Sequence, residues 1–140
     1  VEILHEYFVP PAQLAAFVEK IRPILLRYKP DLLNITVREV NADHDAFLRY
    51  ARGDMFGLVM LFHLLIDPQS DAAMKKFTGE MIDAALQCGG TYYLPYRPHA
   101  TREQFAQAYP QAADFFALKR KYDPGEIFQN LFYLNYGPAQ

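Results

Sequence analysis

Two short stretches carry side chains able to act on a small molecule. In the first, Asn34, Thr36 and Arg38 alternate along a run that reads as a strand, so all three leave the same side of it. The Arg38 guanidinium is a planar fork of donors that can hold a substrate oxygen or carboxylate, or stabilise an alkoxide. Its plainer alternative is an exposed arginine paired with Glu39 or Asp43. Thr36 adds a hydroxyl beside it. In the second stretch, Tyr93, Tyr96, Arg97 and His99 gather at a strand end just before a helix. An imidazole at His99 can take a proton from a hydroxyl, or can simply anchor the helix that begins at Thr101. Tyr93 and Tyr7 can hydrogen-bond a substrate or serve as core aromatics. His63 stands alone on an apolar strand and reads as a wall residue. His5 and His44 lack metal-ligand spacing, so no metal is expected. Cys88, the lone cysteine, reads as a small apolar residue at a helix end.

These residues need elements to position them. Ile3 to Val9 alternates and is bulky, which predicts a strand stopped by Pro10 and Pro11. A helix follows from about Pro11 to Tyr28, with Leu14, Phe17, Val18, Ile21, Leu25 and Tyr28 on one stripe. Pro23 inside it predicts a kink near Glu19 or a split. Leu32 to Val40 is a strand, with Leu33, Ile35 and Val37 opposite Asn34, Thr36 and Arg38. Ala46 to Ala51 predicts a short helix and Met55 to Ile66 a long strand. Asp67, Pro68 and Ser70 end that strand and cap a helix at about Asp71 to Cys88, closed by Gly89 and Gly90. Thr91 to Tyr96 is a short strand. A capping box, Thr101 with Gln104, opens the next helix, and Pro110 opens another that Asp123-Pro124-Gly125 breaks. Ile127 to Tyr136 is an aromatic tail of open form. The order predicts an α+β fold: a ferredoxin-like split βαβ antiparallel sheet with helices on one face and a C-terminal helical tail.

Composition bounds the function classes. The chain has 140 residues, 51% of them apolar, with eleven Phe, ten Tyr and no Trp. This fits one domain, residues 1–140, with a substantial core. The net charge is -2, so no nucleic acid or anionic membrane partner is expected from bulk charge. The stretch from Arg52 to Phe62 faintly echoes an RNA-binding strand but lacks its paired aromatics. One cysteine and no secretory signal suit a cytoplasmic location. The longest apolar run, Met55 to Ile66, is too short to span a bilayer. The chain opens with Val1, inside a strand, which reads as a fragment.

The sheet has apolar residues on both faces. Gly57, Val59 and Leu61 oppose Phe56, Leu58, Met60 and Phe62, and the first strand is similar. Its own helices can cover one face. The other predicts a neighbour beyond these residues, a second copy of the chain paired as a homodimer through the open sheet face, a tail from Ile127 folded back, or simply a central strand buried on both sides.

The segment Thr91-Tyr-Tyr-Leu-Pro-Tyr-Arg-Pro-His99, then Lys119-Arg-Lys-Tyr-Asp-Pro124 and Ile127-Phe-Gln-Asn130, resembles the C-terminal end of FAD-linked oxidases of the vanillyl-alcohol-oxidase superfamily, nearest the sugar-alcohol and aldonolactone oxidase branch. Glu6-Tyr-Phe-Val-Pro10 resembles the strand that begins that family's cap domain. The resemblance implies a substrate-binding cap whose partner is an N-terminal FAD-binding domain of the same protein. It implies an alcohol-type small-molecule substrate that gives hydride to the flavin, and no FAD binding by this piece alone. It casts Arg38 and His99 as catalytic, Thr36, Tyr93, Tyr96 and Arg97 as substrate-binding, and Asn130 as a residue reaching the cofactor. Two departures bear on the substrate: Thr36 stands where the family's Glu-x-Arg pattern has Glu, and Ala100 and Arg102 stand where an Arg-Pro-His-Trp-x-Lys stretch has Trp and Lys. The rival reading is a free-standing ferredoxin-like module that binds a ligand or dimerises without catalysis.

Overall fold

The computed structural model describes residues 1–138. Strand β1 (Glu2–Val9) is stopped by Pro10, and a single helical turn at Pro11–Gln13 leads into α1 (Leu14–Tyr28). Pro23 does not split α1. Pro23 and Glu19 both lie on the exposed side, where water can take the carbonyl that the missing N–H leaves free. Lys29, in the left-handed conformation, closes the helix. β2 (Asp31–Val40) and β3 (Met55–His63) follow, then α2 (Pro68–Gln87) and a two-residue β4 (Thr91–Tyr92). Asp67 caps α2 by accepting from the Gln69 and Ser70 N–H groups.

The four strands lie in the order β2-β3-β1-β4, all antiparallel, with α1 and α2 packed against one another on one face. This is the α+β, ferredoxin-like split βαβ arrangement. Tyr7, Val9, Leu58, Met60 and Phe62 point to the helices and bury against Phe17, Ile21, Phe77 and Met81. At roughly 1.5–3 kcal/mol per buried large apolar side chain, this layer dominates the stability.

Four local expectations need correction. A bulge between Leu32 and Asn34 shifts the phase of β2, so Leu32 pairs with Phe62 and packs on the core where Leu33 was expected. Residues 46–51 form turns, not a helix, because the Asp43 carboxylate accepts from the Asp45 and Ala46 N–H groups and holds a turn. β4 ends at Tyr92, not Tyr96. Tyr93 N–H still donates to Glu6 O, but Pro95 has no N–H with which to continue the ladder. The tail does not fold over the open face. It forms α5 (Leu131–Tyr136), and its Phe132 and Tyr136 rings pack on Phe105 of α3 (Arg102–Ala108), with Phe132 also on Phe116 of α4 (Ala112–Tyr122). Both halves of the Thr101–Gln104 capping box are formed at the start of α3. No helix among the described residues is long and apolar enough to cross a membrane.

Candidate functional site

Register decides what meets on the face away from the helices. Glu6 pairs with Val59, Phe8 with Gly57, Thr36 with Val59 and Arg38 with Gly57. Glu6, Phe8, Thr36 and Arg38 therefore share that face. β3 lies between β2 and β1, and Gly57 puts no side chain in the way. The Arg38 guanidinium crosses β3 and donates to the Glu6 carboxylate. A side chain at Gly57 would press on the Phe8 ring at 3.2 Å and on Val40 at 3.3 Å. The Glu6 side chain is 3% exposed and that of Arg38 53% exposed, so one partner is in the protein and the other reaches water. A carboxylate that deep requires its counter-ion. Arg38 pairs with neither Glu39 nor Asp43.

Glu6 is the residue the sequence reading missed as a site candidate. Its signal was present: an acid in the middle of an apolar strand, alternating with Leu4 and Phe8.

Around this pair the 93–99 turn comes in from the other side. Tyr93 stacks edge-on against Tyr96 at 4.9 Å. Tyr96 is close enough to Glu6 and Arg38 to feel both charges. Its phenol is pushed up, first by burial, then by Glu6 and Tyr93. Tyr93, Tyr96, Arg97 and Glu6 line one small hollow against β1, together with His5 and Tyr7. Arg97 also pairs with Asp71 at the start of α2.

His99 lies behind this wall. Its Nδ1 is 3.0 Å from Thr78 Oγ1, and Thr78 donates its own hydroxyl proton to Met74 O at 2.7 Å. The hydroxyl can then only accept from the ring, so Nδ1 carries the hydrogen and Nε2 keeps its lone pair. Burial, then the Arg97 charge, holds the His99 pKa below its usual value. The ring is therefore a neutral proton acceptor near neutral pH.

Of the predicted residues, Arg38, Tyr93, Tyr96 and Arg97 gather about Glu6, with His99 one layer behind. Thr36 neighbours Arg38 on the open face, 3.4 Å from the Asn34 amide. Asn130 stands apart. Its side chain caps α5 by accepting from Tyr133 N–H, and it belongs to a local network in the tail. There Asp123 accepts from Lys119 and from the Ile127 and Phe128 N–H groups, and Lys119 lies 4.4 Å over the Tyr133 ring. The Lys119–Asp123 and Asn130 positions thus hold the tail's shape. No group of three or more potential metal ligands occurs among the described residues.

The open face is covered at one end only. Tyr50 stacks on Phe8 at 4.2 Å, and Ala51 and Met55 join it in a small buried cluster. Past Glu6 the face carries Leu4, Val59, Leu61, Thr36 and Arg38, all wholly or partly exposed. No family model matches the sequence, and no curated protein matches it.

Proposed function

We propose that this chain is the substrate-binding cap of an FAD-dependent oxidoreductase acting on an alcohol-type substrate, with its open sheet face turned toward the flavin of a neighbouring domain. The observation that carries the reading is the Glu6–Arg38 pair at the rim of the open apolar face: a buried carboxylate holding an oriented donor whose other end reaches water. The fit to the cofactor is that of a roof. A flat apolar surface of Leu4, Val59 and Leu61 suits one side of an isoalloxazine, while Asn130, whose side chain is committed to its helix cap, does not suit a cofactor ligand.

When bound, the flavin supplies the hydride acceptor. This chain's own residues bind, orient and exclude water. Arg38, fixed by Glu6, donates to the substrate oxygen and stabilises negative charge as it develops there. Tyr96 and Tyr93 close the pocket beside it, and Arg97 ties their turn to α2. His99, hydrogen-bonded to Thr78 of α2 on the helix side, braces the turn behind this pocket and does not meet the oxygen beside Arg38. Thr36 offers a further hydroxyl in place of a carboxylate, which favours an uncharged substrate group at that position.

The test uses the protein made from its gene together with whatever is encoded upstream of Val1. It is expected to carry FAD and to be bleached anaerobically by a polyol or lactone. Arg38→Met should lower kcat/KM about 100-fold with flavin content unchanged. A protein without flavin, or bleaching indifferent to Arg38→Met, would sink the proposal. A stable homodimer through the same face would favour the free-standing module.

A further inference from the structure

β2 is the outer strand of the sheet. It has β3 on one side, and among the described residues no strand pairs with its other side. Residues 33–39 are all exposed, whichever face of the strand they leave. A free edge is a row of backbone donors and acceptors ready to pair with another strand, and natural sheets blunt it with proline, lysine, bulges or a covering segment. Here the bulge lies at one end, at Leu33, and the charged Arg38 and Glu39 lie at the other. Arg38 leans away from the edge, over β3 to Glu6. Between these ends Asn34-Ile35-Thr36-Val37 carries no charge and no proline.

The helix side of this stretch is apolar and bare. Ile35 pairs with Met60 and Val37 with Leu58, so both point to the same side as those core residues. Met60 and Leu58 are buried, yet Ile35 is 39% exposed and Val37 50% exposed, because the helices do not reach over the edge strand. A strand that pairs here must bring apolar side chains opposite Ile35 and Val37, and an uncharged polar one opposite Thr36.

β2 meets that requirement itself when it runs antiparallel to a second β2. A two-fold axis normal to the sheet and passing through Thr36 keeps every residue on its own face. Ile35 then opposes Val37 of the second copy, Val37 opposes Ile35, Thr36 opposes Thr36, and Asn34 opposes Arg38. Branched apolar pairs and paired threonines are favourable cross-strand neighbours. The other registers clash. Centred on Ile35, Asp31 opposes Glu39; centred on Val37, Glu39 opposes Ile35; centred on Arg38, two arginines meet.

We infer that two copies of this chain join edge to edge through β2, in the antiparallel register centred on Thr36, so that two four-stranded sheets become one. The contact uses the edge and leaves the open face of each copy free, with both open faces on the same side. It also sets the second copy's Asn34 beside Arg38. The inference stands apart from the oxidoreductase reading, which concerns the open face alone.

Cysteine cross-linking reads the register. Thr36→Cys places two thiols across the axis at a Cα separation of about 4.5–5.5 Å, which a disulfide spans. Asn34→Cys sets them roughly 13 Å apart along the ladder, which it does not. Cys88 is buried and does not compete. Mild oxidation should therefore link Thr36→Cys at least about tenfold faster than Asn34→Cys. In sedimentation the unchanged chain should show a concentration-dependent dimer. Val37→Lys, at an exposed position, should weaken it at least about tenfold, and Leu4→Asn on the open face should leave it unchanged. A chain that stays monomeric up to about 1 mM, or equal cross-linking of the two cysteine variants, overturns the inference. A dimer broken by Leu4→Asn and not by Val37→Lys also overturns it, by placing the contact on the open face. The longer protein, made with what is encoded upstream of Val1, should give the same Thr36→Cys cross-link. Its absence there would mean that another segment covers β2, and the inference fails.

Discussion

The two halves of β1 are finished differently. At Tyr7–Val9 the strand is sealed on both sides. Tyr7 and Val9 lie under the helices, and Phe8 is 0% exposed beneath Tyr50 and Ala51. At the Leu4 end only the helix side is sealed, although Glu6 is itself buried under its contact with Arg38. His5 is buried against Phe62 and Phe77, while Leu4 on the other side is 37% exposed. The sealed half is Tyr-Phe-Val, and the open half carries His5 and Glu6 after Leu4. The difference comes from the 41–54 loop, which folds back over Phe8, is pinned there by the Thr91 hydroxyl donating to Tyr50 O, and is closed on itself by Asp43 N–H donating to Ala51 O. The loop stops short of Glu6, and the Glu6–Arg38 pair stands at the boundary between the sealed and open halves. A polar pair at such a boundary has one end dry and one end wet, as the two side-chain exposures show.

The comparison can be broken most sharply at its sealed end. Phe8→Ala should cost about 3–5 kcal/mol in urea unfolding, the price of emptying a fully buried aromatic site. A loss under about 1 kcal/mol would mean that the loop does not form a real second core. The next largest effect probes the helix side of the open half. Burial holds the His5 pKa at about 3 in the folded chain, below its ordinary 6.5, so the unfolded chain binds more protons between those limits. Stability from this group is complete above pH 6.5 and is lost as pH falls toward 3, with a slope of up to about 1.4 kcal/mol per pH unit. His5→Phe should flatten that part of the curve, and an unchanged slope would place the titration elsewhere. The smallest effect belongs to the exposed side. Leu4→Asn should change the chain's own stability by less than about 1 kcal/mol, yet weaken any docking on the open face. A large stability loss there would show that Leu4 is already covered within the chain.

Much of the scaffold was legible because it depends on local chemistry. The alternation in Ile3 to Val9, the Asp67 cap, the Thr101–Gln104 box and the glycines after α2 each act within a few residues and appear as expected, although α2 starts at Pro68, three residues before the expected Asp71. The strand order follows from short connections and handedness. The site was legible in part: Arg38, Tyr93, Tyr96 and Arg97 were visible as residue types, but their meeting point was not.

What the chain alone determined, then, is which segments become strands and helices and which side chains are available for chemistry, because propensity, capping and period are properties of neighbours in sequence. Only the tertiary structure decided that Arg38 reaches Glu6 across Gly57, that a bulge at Leu33 resets the inward residues of β2, that Asn130 caps a helix, and that His5 and Tyr92 share one hollow. All but the Asn130 cap, which is a contact three residues long, depend on register and packing between segments far apart in the chain, and no local pattern encodes the distance between them.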